Sequence, residues 1–140
     1  MPDLLDTSVW FALAHPGHPF HARALRYWEE EADWELAFTW VTALGLVRLL
    51  THPRATGGEA LTALEAWRVL EGFWARPGVS VHPEPPGIGS FLGRYAKAFS
   101  LKGGHWTDAY LAAFAAAGGY RLVSFDRDFP KYPGLSLLSL

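Results

Sequence analysis

The sequence predicts an α/β fold in three layers, a short central parallel sheet of four or five strands flanked by helices. Short apolar runs that read as strands alternate with longer stretches of helical periodicity, the pattern of βαβ units. Parallel strands joined by helices require right-handed crossovers, so the sheet winds in two directions from the first strand. Three aspartates, Asp6, Asp108 and Asp126, stand at the ends of these runs, on the rim where such a sheet gathers its ligand-binding groups.

Residues 4–5 form the first strand, which ends at Asp6. Thr7 or Ser8 is placed to cap a helix over residues 9–14, and His15-Pro16-Gly17 stops it. A second helix begins near Pro19, a residue type favoured at first helical positions, with Phe20, Ala24, Tyr27 and Trp28 on one face. Residues 35–38 are the second strand, and Thr39 turns the chain into a helix through Leu50 that sets Arg48 among apolar neighbours, in a mostly buried helix. Leu61, Leu64, Trp67, Leu70 and Phe73 then recur at helical spacing and predict a helix over residues 59–74. Residues 79–82 are the third strand, and the rigid loop Pro83-Glu84-Pro85-Pro86-Gly87 leads to helices over residues 90–99 and 106–117. A strand at residues 121–124, a loop at 126–133 and a short strand at 135–138 complete the chain.

At 140 residues the chain has the length of one domain, residues 1–140. A domain of that size buries roughly two thirds of its unfolded surface. Half of its residues are hydrophobic and 15% are aromatic, which excludes a solvated disordered segment. No apolar run reaches the roughly 20 residues that cross a bilayer, and MPDLLDTSVW has neither signal-peptide nor transit-peptide composition. The reading is a cytoplasmic protein without membrane contact. Cysteine is absent, so disulfides and thiolate metal sites are both excluded. A net charge of −2 and a pI near 6.3 argue against binding nucleic acid by bulk electrostatics. They leave room for an enzyme that engages a few phosphates through metal ions and a handful of basic side chains.

Each aspartate has an ordinary structural use. Asp6 is placed to cap the first helix, Asp108 complements the dipole of the helix it begins, and Asp126 suits a turn. Together they point further. Carboxylates gathered on one rim repel one another, and a divalent cation relieves the repulsion. Mg²⁺ prefers a few carboxylates, waters and a substrate phosphate to a closed protein cage, which leads to metal-assisted phosphodiester chemistry. His15, His18 and His21 are spaced by three, but Pro16, Gly17 and Pro19 keep them off a single helical face and no acid is fixed beside them. A haloacid-dehalogenase pattern needs an acid where Ser8 stands, and the phosphate-binding glycine loop of nucleotide-binding proteins is missing.

Four blocks carry a resemblance: LLDTSVW, TALGLVRLLTHP, TDAYLAAFA and LVSFDRDF. In order and spacing they resemble the signature blocks of PIN-domain ribonucleases, most closely the VapC-type toxins of bacterial toxin–antitoxin pairs, over essentially the whole chain. The resemblance implies a PIN-like, Rossmann-like fold and a Mg²⁺- or Mn²⁺-dependent endonuclease that cuts RNA. It also implies a cognate antitoxin that holds the enzyme inactive, and a homodimer. Carried over by position, Asp6, Asp108 and Asp126 are the metal-holding, catalytic acids, with Thr7 or Ser8 and Thr107 as supporting hydroxyls. Trp10 and Trp106 flank two of these acids and offer faces on which an RNA base would stack. One departure matters. The family usually carries a Glu three residues before the position of Arg48, and here that place is Gly45. Asp128 and Asp3 are candidates to replace the missing carboxylate. Arg48 steadies an acidic side chain, contacts phosphate or enters a structural ion pair. The alternative to the enzyme is a catalytically weak or inactive PIN-like module that engages RNA or an antitoxin.

Overall fold

A computed structural model describes all of residues 1–140. Five parallel strands, β1 (Asp3–Leu5), β2 (Leu36–Phe38), β3 (Val79–Val81), β4 (Arg121–Ser124) and β5 (Leu137–Ser139), form one sheet in the order β3-β2-β1-β4-β5. The chain thus winds outward from β1 in one direction through β2 and β3, and later in the other through β4 and β5. The switch lies between β1 and β4, the gap that in open α/β sheets makes a binding crevice at the strands' carboxyl ends.

Neighbouring residues of each strand face opposite sides of the sheet, and each side has its own core. Leu5, Phe38 and Val123 pack with Trp10, Leu46 and Leu70 beneath α1 (Thr7–Ala14), α3 (Trp40–Leu50) and α4 (Ala63–Trp74). On the other side Leu4, Ala37 and Leu122 pack against Phe114, Tyr95 and Phe129, under α5 (Ile88–Ala98) and α6 (His105–Gly118). α2 (His21–Arg26) continues directly into a π-helical turn, Tyr27–Glu31. No helix is long and apolar enough to cross a membrane.

Trp10 belongs wholly to the first core. It is fully buried and stacks on Phe38 with ring centroids 3.8 Å apart, so it presents no face to an RNA base. The role expected for it is corrected by packing: one turn into α1, its ring points beneath the sheet.

Two helix starts fall later than periodicity predicts. α4 begins at Ala63 because Thr62 and Glu65 form a reciprocal capping box, the Thr62 side chain accepting from the Glu65 N–H and the Glu65 carboxylate from the Thr62 N–H. The apolar period extends back to Leu61, but the Leu61 N–H is committed to the Leu50 carbonyl at 2.9 Å, which pins that stretch to the end of α3. α2 begins at His21, since the Phe20 N–H donates to the His18 ring at 3.0 Å instead of entering the helix.

β1 starts one residue earlier than its apolar run, at Asp3, because that residue is locked from several sides. It is fully buried and sits opposite Arg121 in the β1–β4 register. The Arg121 guanidinium donates to both carboxylate oxygens, at 2.7 and 2.8 Å, the Tyr27 hydroxyl donates at 2.6 Å and the Asp33 N–H at 3.0 Å. Asp3 is therefore no stand-in for the missing acid: it lies at the amino end of β1, away from the rim that Asp6 occupies. Burying a carboxylate is tolerable only with such a set of donors. Replacing Asp3 by Ala removes the only side-chain acceptor of Tyr27 and the carboxylate partner of Arg121, which keeps only the Glu31 carbonyl. We expect a loss of about 3–5 kcal/mol in urea unfolding, the usual cost of breaking a buried pair from one side. An unfolding midpoint equal to the parent's would show that the lock is not needed.

Candidate active site

The carboxyl end of β1 delivers Asp6 to the rim beside β4. Its N–H bonds the Val123 carbonyl at 2.9 Å, continuing the strand pairing by one residue. Asp6 occupies the N-cap position of α1, yet its side chain makes no capping hydrogen bond. Instead its Oδ2 accepts from the Ser124 hydroxyl at 2.8 Å and from the Ser8 hydroxyl at 3.0 Å. The same Ser124 oxygen accepts the Asp126 N–H at 2.9 Å, so one buried hydroxyl fixes Asp6 directly and Asp126 through its backbone. Asp126 also forms the expected turn, its Oδ1 accepting the Asp128 N–H at 2.9 Å. Sequence reading did not single out Ser124. The signal was there in a Ser two residues before an Asp at a strand end, a spacing at which a side-chain hydroxyl bonds local backbone.

Asp108 arrives from the other side, in the first turn of α6. With Asp6 it lines a cleft of about 290 Å³ that also holds Thr7, Gly45, Arg48 and Thr107. Asp126 does not line this cleft but is near enough for its charge to act on both Asp6 and Asp108. None of the three acids has an ion-pair partner. Burial raises the Asp6 carboxyl above its ordinary range, against the hydrogen bonds from Ser124 and Ser8, and the charge of Asp126 adds to the rise. Asp108 is pushed up to about 6, first by burial and then by the nearby charges of Asp6 and Asp126. The site is thus an open cluster of mutually repelling carboxylates. No three acidic or histidine side chains close around one point. That geometry suits a hydrated cation such as Mg²⁺, which keeps waters and takes only one or two direct carboxylates, better than an ion needing a complete protein cage.

The supporting residues separate by role. Ser8 holds Asp6, whereas Thr7 and Thr107 face the cleft. Asp128 is exposed and paired with Lys131 at 2.8 Å, which removes it as a replacement carboxylate. Arg48 is exposed, on the cleft-facing side of a partly buried helix, and has no acidic partner, so the structural ion-pair reading fails. The reason lies at the preceding turn of α3. A Cβ on Gly45 would come within 2.7 Å of the Thr7 Oγ1 and 2.8 Å of its Cγ2. α3 leans on α1 so closely here that the position has no room for a side chain while Thr7 keeps its place. Trp106, two residues before Asp108 on α6, is 48% exposed but is not among the residues lining the cleft.

Comparison with known proteins follows the same geometry. A family model described as the PIN domain matches residues 4–135. The chain is 38% identical to Ribonuclease VapC41 of Mycobacterium tuberculosis, an alignment covering 96% of this chain and 95% of that protein. Among solved structures, VapC20 of Mycobacterium tuberculosis, described as a sarcin-ricin loop cleaving toxin, superposes with a TM-score of 0.68 at 20% identity, covering 96% of this chain and 97% of its own. VapBC2 of Rickettsia felis, solved bound to a DNA fragment from its promoter, gives 0.69 at 15% identity, covering 99% and 98%. At those identities the two structures establish the fold.

Two outcomes follow from the site. The Asp108 carboxyl titrates near 6 in the folded chain and near its ordinary 3.8 when unfolded. Below the lower value it is neutral in both states and costs nothing, and the cost is complete once pH has risen through the upper one. In chelator, Asp108→Asn should therefore melt above the parent at neutral pH, with the gap closing near pH 4. A variant that melts lower at both pH values would mark Asp108 as a structural residue. The second concerns Gly45. Gly45→Ala should destabilise by about 1–3 kcal/mol, the cost of overpacking. Adding Thr7→Ala should recover part of that loss, and additive effects in the double-mutant cycle would refute the clash.

Proposed function

Because this chain belongs to the PIN-domain family, we propose that it is a VapC-type endoribonuclease, the toxin of a toxin–antitoxin pair, whose hydrolysis of RNA depends on a divalent cation. The observation that carries the metal-dependent reading is the convergence of Asp6, Asp108 and Asp126 at the switch in strand order without a basic partner for any of them. Asp6 and Asp108 would hold Mg²⁺ or Mn²⁺ at the cleft, with Asp126 as the third acid of the cluster. Such an ion, when bound, would make a water more acidic than bulk water and offset charge on the phosphate.

The chain's own residues account for the rest. Ser124 and Ser8 fix the Asp6 carboxylate in one orientation, which removes the entropy of finding it. Gly104 and Thr107 bring the amino-terminal end of α6 to the cleft, a favourable surrounding for a phosphate. Arg48 is the one basic side chain lining the cleft and, unpaired, is free to meet a phosphate oxygen. A carboxylate of the cluster that does not hold the ion would orient the attacking water or accept its proton.

An antitoxin that covers the cleft and a second copy of the chain belong to the same reading. Exposed Leu44 and Trp67, which line a pocket with Arg48, offer apolar surface for a protein contact. The inert-module alternative rests on Gly45 alone, while the three acids that the chemistry needs are intact.

Purified protein free of antitoxin should cleave RNA with Mg²⁺ or Mn²⁺ and stop in chelator. Asp6→Asn and Asp108→Asn should each reduce cleavage to background with the circular dichroism of the parent retained. Cleavage that survives either substitution, or none with any divalent ion, would sink the proposal.

A further inference from the structure

A second cavity, of about 500 Å³, opens beside the acidic cleft at the carboxyl ends of β2 and β3. Its volume falls within the roughly 300–1,000 Å³ of pockets that hold small ligands. Val41 lines both cavities. On α6, Thr107 borders the cleft, while Tyr110 and Phe114, three and seven residues on, border the second cavity. Residues at that spacing share one helical face. The two cavities are therefore successive stations of one trough between α3 and α6.

The second station has a different chemistry. No Lys or Arg lines it, so it has nothing to attract a phosphate. Its walls are aromatic and apolar: Phe114, Tyr110, Val41 and the 55% exposed indole of Trp40. Two of its polar side chains already have partners. The Tyr110 hydroxyl donates to the Glu84 carboxylate at 2.8 Å, and His82 shares a 2.8 Å hydrogen bond with the Tyr120 hydroxyl. Glu84 has no ion-pair partner, and each of its oxygens retains lone pairs for a further donor. An aromatic slot with an unpaired carboxylate at its mouth suits a flat, uncharged ring that carries N–H donors.

We propose that this cavity is a nucleobase subsite for the RNA strand lying in the acidic cleft, and that Glu84 selects guanine there. Guanine presents two adjacent donors on its Watson–Crick edge, N1–H and the 2-amino group, which match the two oxygens of a carboxylate. Adenine and cytosine offer only an amino group on that edge, and uracil a single N–H. Trp40 supplies a stacking face, and Tyr110 holds the carboxylate in position. The inference rests on the ribonuclease reading above and adds to it the base that is recognised.

The test uses short single-stranded RNAs identical except at one base, with guanine, inosine, adenine, cytosine or uracil there. The parent protein should cleave the guanine RNA about tenfold or more faster than the others, the discrimination that a matched pair of hydrogen bonds gives. Glu84→Gln should level that preference, and Tyr110→Phe should weaken it less. Trp40→Ala should slow every RNA by roughly 5- to 150-fold, the loss of one stacked base. Glu84 and Trp40 are exposed, so these variants should fold. A base preference unchanged in Glu84→Gln overturns the subsite and leaves the ribonuclease reading intact. Substitutions that weaken only antitoxin binding also overturn it, giving the cavity to the protein partner. Binding of fluorescent RNAs by the Asp6→Asn protein separates the two readings. Guanine-selective binding abolished by Glu84→Gln upholds the subsite even if the parent cleaves nothing. Binding indifferent to base and to Trp40→Ala overturns it.

Discussion

β1 lies between β2 and β4 with Asp3 opposite Arg121, and this register decides where the later residues of both strands fall. A strand of three residues carries an acid at its start and another just past its end. The first is neutralised by Arg121 and buried, and the second is carried to the rim with no cation beside it. Because side chains alternate across a sheet, a slip of one residue would put Leu4 and Leu5 in the wrong cores and part Asp6 from Ser124. The Asp3–Arg121 lock therefore does more than offset its own burial: it sets where Asp6 stands relative to Ser124 and Asp126.

That dependence explains which parts of the molecule were legible in the sequence. Strand and helix order could be read because period is a local property, and the sheet's double winding follows from right-handed crossovers. Asp6, Asp108 and Asp126 were legible as a group because each sits at an edge of an apolar run. Their partners were not. Ser124 meets Asp6, and Arg121 meets Asp3, across a separation of 118 residues that no local pattern encodes. Asp3 and Asp6 flank the same Leu4-Leu5 pair, and only the strand partner tells the paired acid from the free one. Trp10 was misread for a related reason: proximity to Asp6 in sequence says nothing about which side of the sheet an indole enters.

Gly45 shows packing and chemistry constraining each other. Where the family usually carries a carboxylate, α3 instead approaches the Thr7 side chain with no room for a Cβ. The lost acid and the close helix contact are one structural fact. The consequence for Arg48 is electrostatic. An arginine one helical turn from a Glu would be held by it, as neighbouring opposite charges on a helix are. Without that neighbour its guanidinium is available to the cleft, and the site exchanges one negative charge for one free positive group.

The weak overall charge of the chain then becomes intelligible. With a net charge of −2 it cannot gather RNA by a broad basic face. What it has is local and ordered along a single trough: an acidic station suited to a cation and a phosphate, Arg48 at its edge, and an aromatic station with a carboxylate acceptor. Phosphate contacts hold a strand without reading it, whereas base edges carry the sequence. A protein with few phosphate contacts must take more of its affinity from stacking and base contacts. The α3–α6 trough can supply both, because the helix faces that frame the acids continue past them without a break.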